Sequence, residues 1–224
     1  MKNLIWHATL IAFSLTLCAS QAASITWGAA TDTKDKSQII GGIPHVALNG
    51  GGDSVSLSDA GAGATDSHDF DAADFANLGP NVSFTATAGG PDPRTRVTDA
   101  FMPVGITTTG DPSFDALIGT ITDSWGDPGG ITAGTLSILN LEVGKDYQVQ
   151  IFFADARTCC DDRVMNIDGV DIAGGDGADE VQAENYGQFV IGSFTADGPA
   201  QDIAIETSGF GNVHFNAIIV TETD

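Results

Sequence analysis

Hydrophobic and polar residues alternate with a period of two along much of the chain, which is the pattern of β-strands. In DYQVQIFF (146–153), the odd-numbered residues are aromatic or aliphatic, while Gln148 and Gln150 fall on the opposite face. β-Branched and aromatic residues enrich further segments of this kind, and Gly, Asp, Asn and Pro separate them. The predicted strand segments are 24–30, 54–58, 81–87, 131–141, 146–153, 163–169, 188–196, 201–207 and 212–221.

The last of these segments alternates in the same way. From Val213 to Ile219 the odd-numbered residues are apolar, and they alternate with His214 and Asn216. The pattern places His214 on the side away from the core. We therefore expect this histidine to be solvated or satisfied by its neighbours rather than to act as a ligand.

Helical periodicity is scarce. Two short helices are predicted, one over 71–77 and one over 112–121, the latter capped by Asp111 or Ser113. Many short strands with Gly-rich turns and few helices are typical of a sandwich or a jelly roll. The sequence therefore predicts an all-β fold, a single jelly-roll β-sandwich over residues 23–224 with one or two short helices.

The first 22 residues have the pattern of a secretory signal peptide. Lys2 precedes an apolar stretch that ends near Leu17, and Ser20 and Ala22 have the small side chains that a signal peptidase requires. No later segment is long and apolar enough to span a bilayer. We expect export of the mature chain from about residue 23 and a secreted, extracellular location without membrane insertion.

The chain carries a formal net charge of −22. A surface this acidic repels phosphate backbones and anionic lipids, so we expect neither nucleic acid nor a membrane as a partner. Aspartates in Gly-rich loops have three interpretations, which are solubility in saline surroundings, turn formation and calcium binding. Calcium is the one cofactor that the composition suggests, in a structural role.

One segment has the spacing of a calcium-binding repeat. GGDGADEVQ (174–182) fits the nonapeptide G-G-x-G-x-D-x-U-x, in which U is a large apolar residue. The candidate ligands there are Asp176, Asp179 and Glu180. Because the motif works in tandem copies that share each ion, a single copy also fits a flexible acidic loop.

Cys159 and Cys160 are the only cysteines after residue 22. Adjacent thiols do not have the spacing of zinc sites or of redox pairs. In an oxidising compartment they are expected to be oxidised. A vicinal disulfide, an intermolecular bridge and free thiols are the three alternatives, and the vicinal disulfide is the favoured one.

Two stretches of the second half carry a more specific pattern. LNLEVGKDYQVQIFFADARTCCDDRVMNIDGVDI (139–172) has a strand, a variable loop and a second strand, and QDIAIETSGFGNVHFNAIIVTE (201–222) ends on an Asn-Ala-Ile segment at Asn216. Both resemble malectin-like, galactose-binding-like carbohydrate-binding domains, most closely over 131–221. ITWGAATD (25–32) and GDPSFDALIG (110–119) are similar to secreted bacterial β-sandwich proteins of the cell surface. The hairpin residues that match are Val143, Gly144, Tyr147, Val149, Ile151, Phe153, Ala154, Asp155, Arg163, Val164, Met165, Ile167 and Gly169.

The resemblance implies a glycan or polysaccharide as the partner. Sugar sites use aromatic faces for C–H groups and amides, carboxylates or arginines for hydroxyls. Asp155 and Arg163 flank the variable loop, where they could form an ion pair at its base or contact a ligand. The candidate ligand-binding residues are Trp125 with Asp123 and Asp127, the loop residues Asp155, Arg157 and Arg163, and Tyr186.

Motifs of common enzyme families are absent from the sequence. There is no G-x-S-x-G, H-E-x-x-H, P-loop or dinucleotide-binding pattern. We therefore expect no enzymatic activity, and the first hypothesis is a secreted, non-catalytic carbohydrate-binding module. The alternative is a structural or adhesive protein of an extracellular surface or matrix, stabilised by calcium and self-associating at a cell surface.

Overall fold

The computed structural model describes residues 23–51, 53–63, 66–89, 96–99, 109–123, 130–155, 163–173, 186–208 and 211–223. Within these residues there is one α-helix, α1 (Pro112–Gly119), and a short 3₁₀ helix at Lys36–Gln38. The strands are β1 (Thr26–Trp27), β2 (Thr31–Asp32), β3 (Ile43–Gly50), β4 (Val55–Ala60), β5 (Asp66–Ala73), β6 (Val82–Gly89), β7 (Arg96–Asp99), β8 (Thr120–Asp123), β9 (Ile131–Leu139), β10 (Asp146–Phe153), β11 (Val164–Ile167), β12 (Val170–Ala173), β13 (Gln188–Thr195), β14 (Ala200–Ser208), β15 (His214–Phe215) and β16 (Ala217–Thr223).

The strands form three sheets. The main sheet has the order β1-β13-β10-β16-β3-β5-β4, and β2 also pairs with β13. The second sheet has the order β12-β11-β14-β9-β6, and a short sheet has the order β15-β8-β7. Neighbouring strands are antiparallel except β3 and β5, which run parallel, with Leu48–Gly50 opposite Asp71–Ala73.

The main core lies between the main sheet and the second sheet. On β10, the odd-numbered side chains from Tyr147 to Phe153 are buried in it. From the second sheet, Leu136, Ile138, Met165, Ile203 and Ile205 enter the same core. The alternation of β10 therefore predicted this face correctly, and the chain folds as an all-β sandwich.

A second core covers the opposite face of the main sheet. Phe152 of β10 and Ile219 of β16 lie in it, together with Phe114, Leu117 and Ile118 of α1. The main sheet is thus covered on both faces over part of its length. The prediction that the even-numbered face of β10 is simply polar is incomplete for this reason.

Gln150 shows how a polar residue enters the second core. Its side chain is fully buried. The Oε1 atom accepts a hydrogen bond from the backbone N–H of Ile40 (3.0 Å), and Nε2 donates to the carbonyl of Gln38 (2.8 Å). The amide thereby satisfies the backbone of the segment that crosses the sheet, since buried polar groups require such partners.

Of the two predicted helices, only the second exists among the described residues. The carboxylate of Asp111 accepts hydrogen bonds from the backbone N–H groups of Ser113 (3.0 Å) and Phe114 (3.1 Å) and so caps α1. The helix predicted over 71–77 is wrong, because β5 extends to Ala73. The Asp74 carboxylate then accepts from the N–H groups of the next turn and reverses the chain.

Asn216 interrupts the alternation predicted for the last segment. β15 ends before it and β16 begins after it. Phe215 lies in the main core, whereas Ile219 lies in the second core. His214 is buried rather than solvated, so neighbouring groups surround it.

The buried side chain of Asn216 joins three parts of the fold. Its Oδ1 accepts a hydrogen bond from the N–H of Ala154 after β10, and its Nδ2 donates to the carbonyl of Ile118 in α1, both at 2.6 Å. Its own carbonyl accepts from the N–H of Gly50 at 2.6 Å. A Cβ at Gly50 would lie 2.6 Å from the carbonyl oxygen of Phe215, so only glycine permits this approach.

Asn216→Ala should strongly destabilise the protein. The substitution leaves the Ala154 N–H and the Ile118 carbonyl buried without their side-chain partner, at about 1–3 kcal/mol each, or roughly 2–6 kcal/mol in total. Urea unfolding followed by tryptophan fluorescence measures the change. Asn77→Ala, at an exposed asparagine, is the matched control. A loss below about 1 kcal/mol for Asn216→Ala would show that these bonds are not needed.

His68 of β5 should make stability fall on acidification. Its ring is buried edge-on to Phe70, at 6.4 Å between ring centroids. Burial lowers its pKa below the ordinary value of 6.5, although the nearby Asp66 carboxylate opposes this. The unfolded state then binds the proton more readily, so the free energy of unfolding should decrease as the pH falls below about 6.5 through the lower folded-state pKa.

The measurement is urea unfolding at a series of pH values for the wild type and His68→Gln. The difference in unfolding free energy between the two proteins should shrink as the pH is lowered, because only the wild type carries this linkage. A difference that stays constant from neutral to acidic pH would contradict the assignment.

Candidate functional site

Asp155 and Arg163 form an ion pair at the end of the sandwich. Asp155 follows β10 and Arg163 precedes β11, and the distance from Arg163 Nη1 to Asp155 Oδ2 is 3.0 Å. The Asp155 side chain is fully buried and that of Arg163 is 9% exposed. This geometry corresponds to the loop-anchoring alternative that the sequence left open.

His214 and Gly211 enclose the ion pair. His214 Nε2 lies 3.8 Å from the same carboxylate oxygen of Asp155. The imidazole packs on Phe153 with 4.3 Å between ring centroids, and its Nδ1 is 3.0 Å from the carbonyl of Asn212. At Gly211, where φ is +116°, a Cβ would meet Arg163 Nε at 2.8 Å, so glycine permits the close approach of this segment.

Tyr186 lies in the second core. It is 2% exposed, and burial raises the pKa of its phenol. The sequence predicted an accessible aromatic residue for a ligand here. The structure instead places the ring among core residues close to Asp115 of α1.

The ends of four chain segments meet near the ion pair. Asp123 pairs with His214, and the side chain of Asn212 fills the space beside Gly130. Val164 of β11 pairs with Ala173 of β12 on one side and with Ser208 of β14 on the other. The described residues that flank the segments 124–129, 156–162, 174–185 and 209–210 therefore lie at one end of the sandwich.

Most of the predicted site residues belong to these segments and lie outside the described residues. For Asp123, only the backbone is described. The ligand-binding, calcium and disulfide assignments therefore stay predictions for the following residues: Asp123, Trp125, Asp127, Arg157, Cys159, Cys160, Asp176, Asp179 and Glu180.

A polar groove lies elsewhere, beside the junction of β3 and β5. The two strands pair only from Leu48 and Asp71 onward. The chain turns at Asp74 and returns beside the start of β3, where Asn81 Nδ2 donates to the carbonyl of His45 (3.2 Å). The resulting depression has a volume of about 420 Å³ and is lined by His45–Leu48, Ser54, Asp71, Ala72 and Asn77–Asn81.

The groove combines an apolar floor with polar walls. Leu48 and Leu78 are buried below it, while Asp71 and Asn77 are exposed at its sides. His45 Nε2 lies 2.8 Å from the carbonyl of Leu139, which fixes the orientation of the half-buried ring. The walls offer a carboxylate, an amide and an imidazole to a polar ligand.

A second depression of about 580 Å³ lies on the face of the main sheet that α1 covers, and it shares only Ser54 with the first. Its floor is fixed by buried Asn49, whose Nδ2 donates to the carbonyl of Asp53 (2.8 Å). Asn49 Oδ1 accepts from the hydroxyl of Thr120 at 3.4 Å. The remaining lining residues are Gly51, Val55 and Ala116.

Sequence reasoning missed both depressions. The walls of the first come from the turn after Asp74, which the sequence predicted as a helix, and from β3 and β5, which run parallel. The walls of the second come from the end of β3, the segment before β4, and α1. The signal that was present is NLGPN (77–81), a cluster of turn residues that carries two asparagines.

Within the described parts of the chain, no helix is long and apolar enough to cross a membrane. No group of three or more His, Cys, Asp or Glu side chains is placed to hold a metal ion within those same ranges.

No protein-family model matches the sequence, and no curated protein matches it. Among solved structures, the fold is similar to a chain in "Crystal structure of plant peptide RALF23 in complex with FER and LLG2". The sequence identity is 13% and the TM-score is 0.47. The alignment covers 87% of this chain but only 55% of the other, so the chain spans about half the length of that protein chain.

Breaking the buried ion pair should cost far more than breaking an exposed one. Arg163→Met leaves the buried Asp155 carboxylate without its cation, and we expect a loss of about 3–5 kcal/mol. Lys145→Met is the matched control, because Lys145 pairs with Glu222 at 2.8 Å on the surface and should contribute about 0–1 kcal/mol. Chemical unfolding of both variants tests this, and equal losses would contradict the anchoring role of Arg163.

Proposed function

We propose that the protein is an extracellular, non-catalytic carbohydrate-binding module. The observation that carries this proposal is the groove beside β3 and β5. The exposed Asn77 amide and Asp71 carboxylate lie beside the apolar floor of the groove. The groove is large enough for a small-molecule ligand, since binding sites for such ligands measure about 300–1,000 Å³.

The chemistry of the groove suits a sugar. Hydroxyl groups both donate and accept hydrogen bonds, so they pair with the Asp71 carboxylate and with either end of the Asn77 amide. The C–H faces of a sugar ring are apolar and can cover Leu48 and Leu78. The His45 ring is already oriented by its contacts with Leu139 and Tyr147, which lowers the ordering cost of binding.

Two further observations support the same function. The resemblance to malectin-like domains over 131–221 concerns strands that form the centre of the sandwich. The net charge of −22 disfavours nucleic acid and anionic membranes as alternative partners.

The end of the sandwich near the Asp155–Arg163 ion pair is a second location for the same function. Trp125 and Arg157 belong to the segments that start and end there. Variants can separate the two locations, because Asp71 lines the groove and Trp125 is remote from it in sequence.

Asp71→Met should abolish glycan binding. The substitution removes a carboxylate that accepts hydrogen bonds from sugar hydroxyls, and it places a long apolar side chain opposite Leu48, on the face of β5 that carries the groove. Asn77→Ala should weaken binding about two- to tenfold, as expected for one lost hydrogen bond of about 0.5–1.5 kcal/mol. Thr85→Met, at an exposed position on β6 outside the groove, is the matched control and should bind as the wild type does.

A glycan array identifies binding partners, and affinity electrophoresis in polysaccharide gels measures the variants. If Trp125→Ala abolishes binding while Asp71→Met does not, the sugar site is at the end of the sandwich near Asp155. If the wild type binds no glycan in either assay, the proposed function is wrong.

A further inference from the structure

We infer that the groove beside β3 and β5 selects amino sugars, whose protonated primary amine binds there, over the corresponding neutral sugars. This inference rests on the proposed carbohydrate-binding function, and it adds the chemical class of the sugar. Three features of the groove carry it, which are a carboxylate without a partner, a histidine with a fixed tautomer and an asparagine whose amide is already bonded.

Asp71 brings the carboxylate. It lies opposite Leu48 on the face of β5 that carries the groove, it is exposed, and it has no hydrogen bond or ion pair among the described residues. Asp69, two residues earlier on the same face, differs because its carboxylate accepts a hydrogen bond from the hydroxyl of Ser56 at 2.6 Å. No Lys or Arg lines the groove among the described residues, so a cation that pairs with Asp71 there has to come from the ligand.

His45 brings a second acceptor. Its Nε2 lies 2.8 Å from the carbonyl oxygen of Leu139, and since a carbonyl only accepts, Nε2 carries the proton and donates it. In the neutral ring, Nδ1 is then an acceptor, and it has no hydrogen-bond partner in the described part of the chain. The edge contact with Tyr147, at 5.7 Å between ring centroids, holds the imidazole at the groove.

The amide of Asn81 is already bonded at both ends. Its Nδ2 donates to the carbonyl of His45 at 3.2 Å, and its Oδ1 accepts a hydrogen bond from Asn140 Nδ2 at 3.0 Å. Asn81 therefore shapes the groove without supplying its main ligand contacts.

The groups left for a ligand accept more hydrogen bonds than they donate. The acceptors are the two oxygens of Asp71, Nδ1 of His45 and Oδ1 of Asn77, whereas the side-chain donors among the described lining residues are the Asn77 amide and the Ser54 hydroxyl. A protonated amine has three N–H donors and no acceptor, so it complements this set.

Charge favours the amine over a hydroxyl at the same place. A neutral sugar that covers Asp71 removes water from the carboxylate without compensating its charge, whereas an ammonium group compensates it. Hydrogen bonds between two charged groups are also about twice as strong as those between neutral groups. The remaining sugar hydroxyls and the ring C–H groups still contact Asn77 and the apolar floor.

The first test is an NMR titration at neutral pH with glucosamine and galactosamine, their N-acetyl forms, and glucose and galactose. Members of each series differ only at C2, where they carry an ammonium, an acetamide or a hydroxyl group. The amino sugar of the series that binds should bind about tenfold more tightly than its N-acetyl and hydroxyl counterparts. Ethylamine, which has the charge without the sugar, should bind more weakly than the amino sugar.

Asp71→Asn should remove this preference. The variant keeps the shape and the polarity of the side chain, so the neutral sugars should bind nearly as they do to the wild type. Asp69→Asn is the matched control, because it makes the same change of charge on the same face of β5 at a carboxylate that is bonded to Ser56. If Asp69→Asn reduces the preference as much as Asp71→Asn does, the direct contact with Asp71 is wrong.

The role of His45 has a readout of its own in ¹⁵N NMR of the imidazole. The free protein should show the tautomer protonated at Nε2, and the amino sugar should shift the Nδ1 resonance, whereas ethylamine at the same concentration should shift it less. A ring protonated at Nδ1 instead would contradict its assignment as an acceptor.

The outcomes separate the inference from the function on which it rests. If the neutral sugars bind as tightly as the amino sugars, the selectivity is wrong while carbohydrate binding stands. If ethylamine binds as tightly as the amino sugar, the groove recognises an amine alone and the carbohydrate function is wrong there. If neither these sugars nor any glycan on the array binds, both proposals are overturned.

Discussion

The buried amide of Asn216 is the constraint on which the rest of the structure depends. Its side-chain oxygen accepts a hydrogen bond from the Ala154 N–H after β10, and its side-chain nitrogen donates to the Ile118 carbonyl in α1. Its backbone carbonyl accepts a hydrogen bond from the N–H of Gly50 at the end of β3. The same residue shifts the alternation, so that odd-numbered side chains enter the main core before it and the second core after it. Leu48 at the floor of the groove belongs to β3, one of the elements that Asn216 joins, so the cores and the candidate site share one junction.

The first core could be predicted from the sequence, but the second could not. The alternation from Tyr147 to Phe153 specifies one buried face, because side chains on a strand point to opposite sides in turn. That pattern predicts Gln150 as a surface residue. It is buried because backbone groups at Gln38 and Ile40 form hydrogen bonds with its amide. These partners are more than one hundred residues away in the chain, so no local sequence pattern predicts them.

The candidate site divides in the same way. The pairing of Asp155 with Arg163 is one of the two alternatives that the sequence offered, since both flank one loop, but their burial beside His214 and Gly211 depends on a distant strand. The groove was missed for a different reason. The residues after Ala73 have a helix-like composition, yet the Asp74 carboxylate satisfies the next N–H groups and makes a turn instead. Parallel pairing of β3 with β5 then creates a cleft that periodicity does not encode.

The most direct measurement for the central claim is NMR titration of the isotope-labelled protein with a glycan that it binds on the array. The account predicts that the perturbed backbone amides cluster at His45–Leu48, at Asp71–Ala72 and along Asn77–Asn81. Perturbations confined to residues around Asp155, Arg163 and His214 would contradict this prediction and place the ligand at the end of the sandwich near that ion pair.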